Sequence, residues 1–444
     1  MKEHIDRNPL PVIIFTVFVD LLGVGILIPV IPLLLADPQS PYYLLPAGMS
    51  VNQGYILLGF LLASFSIAQF LATPILGELS DRYGRKKILI ISLAGTCLSY
   101  VLFAIGIITK NLPLLFISRS FDGITGGNIS VAQAAIADVT TPENRAKNFG
   151  LIGAAFGLGF IIGPYLGGKL SDPHLVSWFS ASTPFFFAAI LSAVNVVSMI
   201  FFFPETLKHV KEHVTIHWGK SIMNIAKAFT LPRLNVLFIT NFLFQGGFTF
   251  FTSFFGVFLI NKFHFTQGNI GDFFAYVGLW IALTQAVITR RLSSMFAEYK
   301  IVRIALMGCA LAVLLYFIPD KWWGLLFIAP FFAISNGLTQ ANTVGLVSRN
   351  ADAKIQGEVL GINSSVQALA QAIPPMLSGY IAAKLTPDSP LLVSAAVIAA
   401  SGFVFLFLYK PQDSAAAPAH APASDVPPAR PQSPAEEPVE IFHG

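Results

Sequence analysis

The sequence predicts an all-α membrane protein whose twelve transmembrane helices form two pseudo-symmetric six-helix halves. Three observations lead there. Of 444 residues, 55% are hydrophobic and only 11% are charged, under half of the roughly 25% usual in soluble domains and too few to cover a water-soluble protein of this size. The apolar residues gather into twelve runs of about 20, the length of a bilayer-crossing helix. A segment after the fourth run reappears after the tenth.

The runs lie at 10–35, 53–76, 88–109, 112–137, 149–170, 184–204, 234–260, 269–289, 302–319, 323–346, 358–383 and 389–409. The first carries Asp20, Pro29 and Pro32 and lacks a small-residue cleavage site before the second, so it reads as a retained span and not a signal peptide. With the N-terminus inside, 21 of the 27 Lys and Arg fall on the inner side. Five (Lys110, Lys169, Lys262, Lys321 and Lys384) fall outside, and Arg119 alone lies within a span. This alternation places both termini in the cytoplasm. The longest loop divides the chain into an N-terminal half (1–204), a cytoplasmic linker (205–232) and a C-terminal half (233–410). Residues 411–444 are rich in Pro and Ala, a composition that cannot bury a core and is expected to be disordered. The repeat is FGLIGAAFGLGFIIGPYLGG (149–168) against VLGINSSVQALAQAIPPMLSG (359–379): aligning Gly150 with Gly361 puts Pro164 on Pro375 and Gly168 on Gly379. Parallel repeats of this kind suggest a transporter architecture with a site near the midplane.

Between the second and third spans runs GELSDRYGRKK (77–87). Gly77 permits close helix approach, and Asp81 is placed to face a helix N-terminus or a nearby Arg. The pattern G-x-L-S-D-R-x-G-R-K resembles, position by position, the loop signature of the major facilitator superfamily. That resemblance implies the major facilitator fold, with Gly77, Asp81, Arg82, Gly84, Arg85 and Lys86 latching the halves on the cytoplasmic face. The equivalent second-half loop (293–303) has Ala297 and Lys300 where Asp81 and Gly84 would fall, so the latch is expected from the first half only.

The strings DLLGVGILIPVIPLLL (20–35), SRSFDGITGGNISVAQAAIADVTTPENRAKNFG (118–150), GFIIGPYLGG (159–168) and QGEVLGINSSVQALAQAIPP (356–375) resemble the tetracycline-efflux branch of the drug:proton antiporters. The resemblance covers most of 10–410 in order. It implies an antiporter glycine motif of Gly153, Gly157, Gly163, Pro164, Gly167 and Gly168 that acts as a pliable, leak-proof contact between halves. The spacing of Gly153, Gly157, Gly163 and Gly167 also fits ordinary packing of small residues.

Ionisable residues deep in a bilayer are functional by default. Asp20 lies about 15 Å into its helix at 1.5 Å per residue, near the midplane. Arg119 and Asp122, spaced i and i+3, share one face of the fourth span. The expectation is that Asp20 and Asp122 exchange protons while Arg119 controls their charge, the alternative being a permanent structural Arg119–Asp122 pair. Where the antiporters carry Gln or a small residue, this chain has Asp122, which bears on proton stoichiometry and substrate charge. The second half offers amides instead: Asn241, Gln245, Gln285, Asn336, Gln340, Asn342, Gln367 and Gln371 are its substrate-wall candidates, with apolar contact from some of the 41 Phe, most of which are expected to face lipid.

Two motifs are set aside. GKS (219–221) has Val214 where a phosphate loop needs Gly and follows no strand. His209, His213 and His217 have a spacing that could bind zinc, but Val210, Val214, Thr215 and Ile216 disfavour the helix, so a basic interfacial linker is expected and no metal site. No cofactor, catalytic centre or nucleic-acid partner is expected. The expected partners are a small-molecule substrate, protons and the lipid bilayer, for a monomer in a cell membrane such as the bacterial inner membrane. The favoured function is proton-coupled export of amphipathic or drug-like molecules. A proton symporter for a polar metabolite and a transporter-like receptor or scaffold are the alternatives.

Overall fold

The computed structural model describes residues 9–140, 145–207, 219–231, 234–351 and 356–411, apart from some side chains of its sixth, eighth and fourteenth helices. Among the described residues there are sixteen α-helices and no strand: α1 (Leu10–Leu35), α2 (Val51–Tyr83), α3 (Arg85–Ile108), α4 (Leu112–Thr125), α5 (Asn128–Asp138), α6 (Arg145–Leu170), α7 (Thr183–Phe202), α8 (Lys220–Thr230), α9 (Leu234–Phe263), α10 (Gln267–Leu283), α11 (Thr289–Met295), α12 (Glu298–Leu315), α13 (Leu325–Arg349), α14 (Gln356–Ala372), α15 (Pro374–Lys384) and α16 (Ser389–Leu408).

Three expected spans are interrupted. The fourth breaks at Gly126–Gly127 between α4 and α5, where glycine weakens a helix. The eleventh breaks at Ile373, because Pro374 and Pro375 supply no backbone N–H and favour the start of a new helix. The eighth contains a π-helical turn, Thr284–Ile288, between α10 and α11. Eight helical stretches of the described residues are long and apolar enough to cross a membrane, among them Gln267–Met295, continuous through the π turn. The split fourth and eleventh spans are not among them, nor is α12, which carries Glu298, Lys300 and Arg303 in its first turns. In the linker, α8 is pinned by Ser221, whose hydroxyl donates to the Phe70 carbonyl at 2.7 Å, and by Asn224, whose amide donates to Ser365 Oγ at 3.1 Å. His209, His213 and His217 and the tail from residue 412 lie outside the described residues.

Large apolar side chains cover the outside, among them Ile304 (77% exposed), Phe327 (75%) and Phe407 (72%), a surface suited to lipid and not to water. The hydrophobic face of α1 packs on α6, which in turn packs on α10. In the same way α2 packs on both α4 and α15, and α9 on α16.

Glycines let these backbones touch. A Cβ at Gly163 would sit 2.7 Å from the Leu22 carbonyl oxygen and 2.8 Å from Gly25 Cα, one at Gly159 would sit 2.7 Å from Leu21 Cβ, and one at Gly167 would strike the Ile26 carbonyl. The thin face towards α1 therefore runs through Gly159, Gly163 and Gly167, four apart on the helix. This corrects the expected run through Gly157, where a Cβ would lie an ordinary 4.0 Å from Ala282 Cβ; two residues away from Gly159, it points round the helix towards α10. The surroundings of Gly153 lie outside the described residues.

The other side of α6 makes a second crossing. A Cβ at Gly168 would meet Gly271 Cα of α10 at 3.1 Å, and one at Gly271 would meet the Pro164 carbonyl at 2.6 Å. Its counterpart lies between α2 and α15, where a Cβ at Gly59 would meet Gly379 Cα at 3.1 Å and strike the Pro375 carbonyl. The residues paired by the sequence repeat, Pro164 with Pro375 and Gly168 with Gly379, thus form two similar backbone crossings between early and late helices. At the first, Lys169 Nζ also pairs with Asp272 Oδ2 at 2.8 Å.

Candidate functional site

A polar cluster lies buried among α1 to α5. The fourth helix starts with Asn111, whose side chain accepts from the Leu114 N–H at 3.0 Å, and places Arg119 and Asp122 on one face. Arg119 Nη1 donates to Asp122 Oδ2 at 2.5 Å, with both side chains almost fully buried, and the Phe65 ring of α2 covers the guanidinium at 4.4 Å. Arg119 Nε has no hydrogen-bond partner. Asp20 reaches the cluster from α1, 9% exposed, its Oδ2 without a hydrogen bond and Asp122 among its charged neighbours. Tyr100 of α3 stands in the field of Asp20, Asp122 and Arg119, and its hydroxyl presses on Gly23, one turn beyond Asp20, where any Cβ would collide with it.

The break between α4 and α5 completes the cluster. Its free carbonyls are satisfied from the side: Gln69 Nε2 donates to the Gly126 oxygen at 2.9 Å and Ser130 Oγ to the Gly127 oxygen at 2.9 Å, the compensation irregular backbone needs at membrane depth. The first residue of α5, Asn128, is fully buried and faces the Asp20 carboxyl. The structure thus brings together the three expected residues Asp20, Arg119 and Asp122, and adds Phe65, Tyr100 and Asn128. Those three carried no charge or spacing signal in the sequence, and only the packing of α2, α3 and α5 around α1 and α4 brings them in.

The signature loop forms a second cluster. Gly84 joins α2 to α3 at φ +96°, in the left-handed region that glycine tolerates. Arg85 pairs with Asp81 at 2.6 Å and through Nε with Asp138 of α5 at 3.0 Å. Glu205 caps α3, its oxygens accepting from the backbone N–H groups of Arg85 (2.9 Å) and Lys86 (3.1 Å), where the helix dipole favours an anion. Lys86 Nζ donates to the Ile200 carbonyl at 2.8 Å, and Arg82 lies over the Tyr83 ring at 5.2 Å. Gly77 departs from expectation, because a Cβ there would have its nearest neighbour, Ser130 Oγ, at 4.0 Å; no close approach demands glycine. Asp138 and Glu205 were not singled out in the sequence, since each lies more than fifty residues from the loop it binds.

The amide candidates of the later helices divide. Asn241 is buried and donates to Asn363 Oδ1 at 2.6 Å, and Asn342 donates to the Leu338 carbonyl at 2.8 Å while accepting from Ser293 at 3.3 Å. Both are hydrogen-bonded within the protein. Asn336 is 1% exposed with Oδ1 unpartnered. Gln245, Gln340, Gln367 and Gln371 are half-buried, and Gln285 is exposed within the π turn.

A narrow gap of about 10 Å³ between α6, α9, α10 and α13 is lined by Phe160, Phe248, Phe251, Phe255, Phe274 and Phe332, with Phe251 and Phe332 centroids 4.5 Å apart. Among the described residues fewer than half of the Phe are fully buried. Those that are concentrate on α9, which is enclosed by α14, α15 and α16. No group of three or more His, Cys, Asp or Glu among the described residues could hold a metal.

Comparison with known proteins gives the family and the fold. The profile described as Major Facilitator Superfamily matches residues 13–375 and 237–439, and the chain belongs to that superfamily of membrane transporters. It is 31% identical over 377 residues to the tetracycline resistance protein, class H, of Pasteurella multocida, covering 83% of this chain and 88% of the relative. It is 27% identical over 422 residues to multidrug resistance protein 2 of Bacillus subtilis (strain 168), covering 94% and 100%. Among solved structures, the human organic anion transporter MFSD10 (TETRAN) superposes with a TM-score of 0.68 at 23% identity, over 89% of this chain and 98% of that one. A D-xylose-proton symporter superposes with a TM-score of 0.70 at 15% identity, over 90% and 98%. These two likenesses are of fold.

Proposed function

We propose that this protein is a proton-coupled secondary transporter, and not an enzyme, that exports amphipathic or drug-like molecules by alternating access. The observation that carries the reading is Asp20, a carboxyl buried near the middle of α1 with an unpartnered oxygen, beside the Arg119–Asp122 pair. A carboxyl so placed has no packing duty that an amide or leucine could not perform, and residues of this kind mark proton routes. Asp20 and Asp122 exchange protons with water as the site opens to either side, and Arg119 holds their charge. The Phe-lined gap and the half-buried Gln245, Gln340, Gln367 and Gln371, with Asn336, form the opposite, substrate-facing wall.

In this reading residues 1–204 and 233–410 rock about each other as six-helix halves, linked by 205–232. The signature loop stiffens the cytoplasmic face, and the glycine crossings seal the outer one. Both termini are cytoplasmic, the membrane is a bacterial inner membrane, and the unit is a monomer. The resistance-protein relatives support export of drugs. Inward proton movement supplies about 2.3 kcal/mol per charge at 100 mV, enough for roughly a 50-fold gradient.

The test uses energised inverted vesicles loaded with a pH-sensitive dye. Lipophilic drugs are expected to release protons in the parent protein and not in Asp20→Asn. Proton uptake driven by a polar metabolite in right-side-out vesicles, with no response to any drug, would replace export by symport, the reading that Asp122 and the amides favour next.

A further inference from the structure

Asn128 is fully buried, and neither its amide nitrogen nor its amide oxygen makes a hydrogen bond. An unsatisfied buried amide is costly, so its presence calls for a reason. The group it faces is the Asp20 carboxyl, whose Oδ2 is also without a partner. We propose that Asn128 is a positioning residue for proton exchange, its amide serving Asp20 in both of that carboxyl's protonation states.

The chemistry favours an amide over any other side chain here. An ionised carboxylate needs a donor, which Asn128 Nδ2 supplies. A protonated one needs an acceptor, which Oδ1 supplies. A lysine would hold only the ionised form and an aspartate would repel it, whereas Asn128 changes role by turning its amide plane. The residue is the first of α5, directly after the Gly126–Gly127 break, and both Gly126 and Gly127 carbonyls are held by α2 and α5 side chains. Movement of α5 relative to α4 therefore moves the amide relative to Asp20. The other titratable or charged groups around Asp20 are Asp122 and Arg119 on α4 and Tyr100 on α3; α7 contributes Asn195, which is bonded to Thr16 one turn earlier on α1 at 3.0 Å.

This inference rests on the proton-coupled reading above, and its test separates the two. Drug-driven proton release is measured across a pH series in vesicles carrying the parent protein, Asn128→Leu, Asn128→Ser, Asn195→Leu and Asp20→Asn. A hydrogen bond to a charged group is stronger than one to a neutral group, so losing the amide weakens the ionised form more. Asn128→Leu is expected to move the pH midpoint of transport to the alkaline side by about one unit, a tenfold change in proton occupancy, while Asn128→Ser, which keeps a donor and an acceptor, restores most of it. Asn128→Ala carries the same expectation if the leucine variant does not reach the membrane. An unchanged midpoint in a transporting Asn128→Leu or Asn128→Ala overturns the proposal, as does an equal shift in Asn195→Leu, which would assign the effect to general loosening around α1. If instead Asp20→Asn transports like the parent, the proton-coupled reading itself has failed, and the role of Asn128 falls with it.

Discussion

The early and late helices bury very different interiors. Around α1 and α4 lie Asp20, Arg119, Asp122, Tyr100 and Asn128, with buried polar atoms left unpaired. Around α9 and α13 lie stacked Phe rings; Asn241 and Asn342 are hydrogen-bonded, and the unpaired atoms there, Asn336 Oδ1 and Tyr316 Oη, belong to neutral side chains. A buried charge calls for an explanation beyond packing, whereas a neutral apolar interior does not. On the proposed reading, charge handling and apolar contact belong to separate sets of helices, so each can be damaged without the other.

The sharpest break is Asp20→Asn. Proton-coupled transport should fall on the order of 100-fold, while drug binding to the purified protein, followed by quenching of tryptophan fluorescence, stays near the parent value; loss of both together would mean the two regions are one site. Next comes Arg119→Leu, which leaves Asp122 buried and unpaired and should lower stability by about 3–5 kcal/mol. The double variant Arg119→Leu with Asp122→Leu should recover most of the melting temperature in detergent, and equal melting of single and double variants would remove the pair as the cause.

The glycine faces give a smaller effect. Gly159→Ala and Gly163→Ala should each destabilise by about 1–3 kcal/mol through overpacking against α1, whereas Gly157→Ala should be neutral or mildly stabilising, since alanine improves a helix by about 0.5–1 kcal/mol where space allows. Thermal melts of the three rank them directly. The smallest is Phe251→Ala, expected to weaken the apparent affinity for an amphipathic drug about tenfold, near 1.4 kcal/mol, with the pH midpoint of transport unchanged; a shifted midpoint would join the aromatic gap to the proton cluster.

The helical course of the chain was legible because a bilayer imposes one rule, about 20 apolar residues per crossing, and each of the twelve runs contains helix, eight helical stretches being long and apolar enough to cross. The breaks were not read, although Gly126–Gly127 and Pro374–Pro375 are helix-weakening pairs: each lies inside a run long enough to cross the bilayer, and only the packing shows Gln69 taking the freed Gly126 carbonyl. Within the site, Asp20, Arg119 and Asp122 stood out because charge is rare in lipid. Tyr100 and Asn128 did not, since a tyrosine and an asparagine in a long run are unremarkable until the packing aims them at Asp20. Gly159 was missed for a related reason: a period of four starting from Gly153 passes it by, and only the contact with Leu21 reveals which register faces α1. The fate of α9's Phe residues was equally hidden, because composition cannot tell a lipid-facing ring from one enclosed by other helices.

The two crossings at Gly168–Gly271 and Gly59–Gly379 meet through main chain alone. Where helices meet through long side chains, bringing them together freezes rotamers, at up to about 2 kcal/mol for each of the longest. At the glycines themselves there are none to freeze and no polar tip to strip of water. These contacts therefore behave as bearings and not as locks: they fix where the helices touch while adding almost no entropy penalty to touching. On the proposed rocking mechanism a latch must come from elsewhere, and the Lys169–Asp272 ion pair beside one crossing, half exposed at Asp272, would be one whose grip ionic strength loosens.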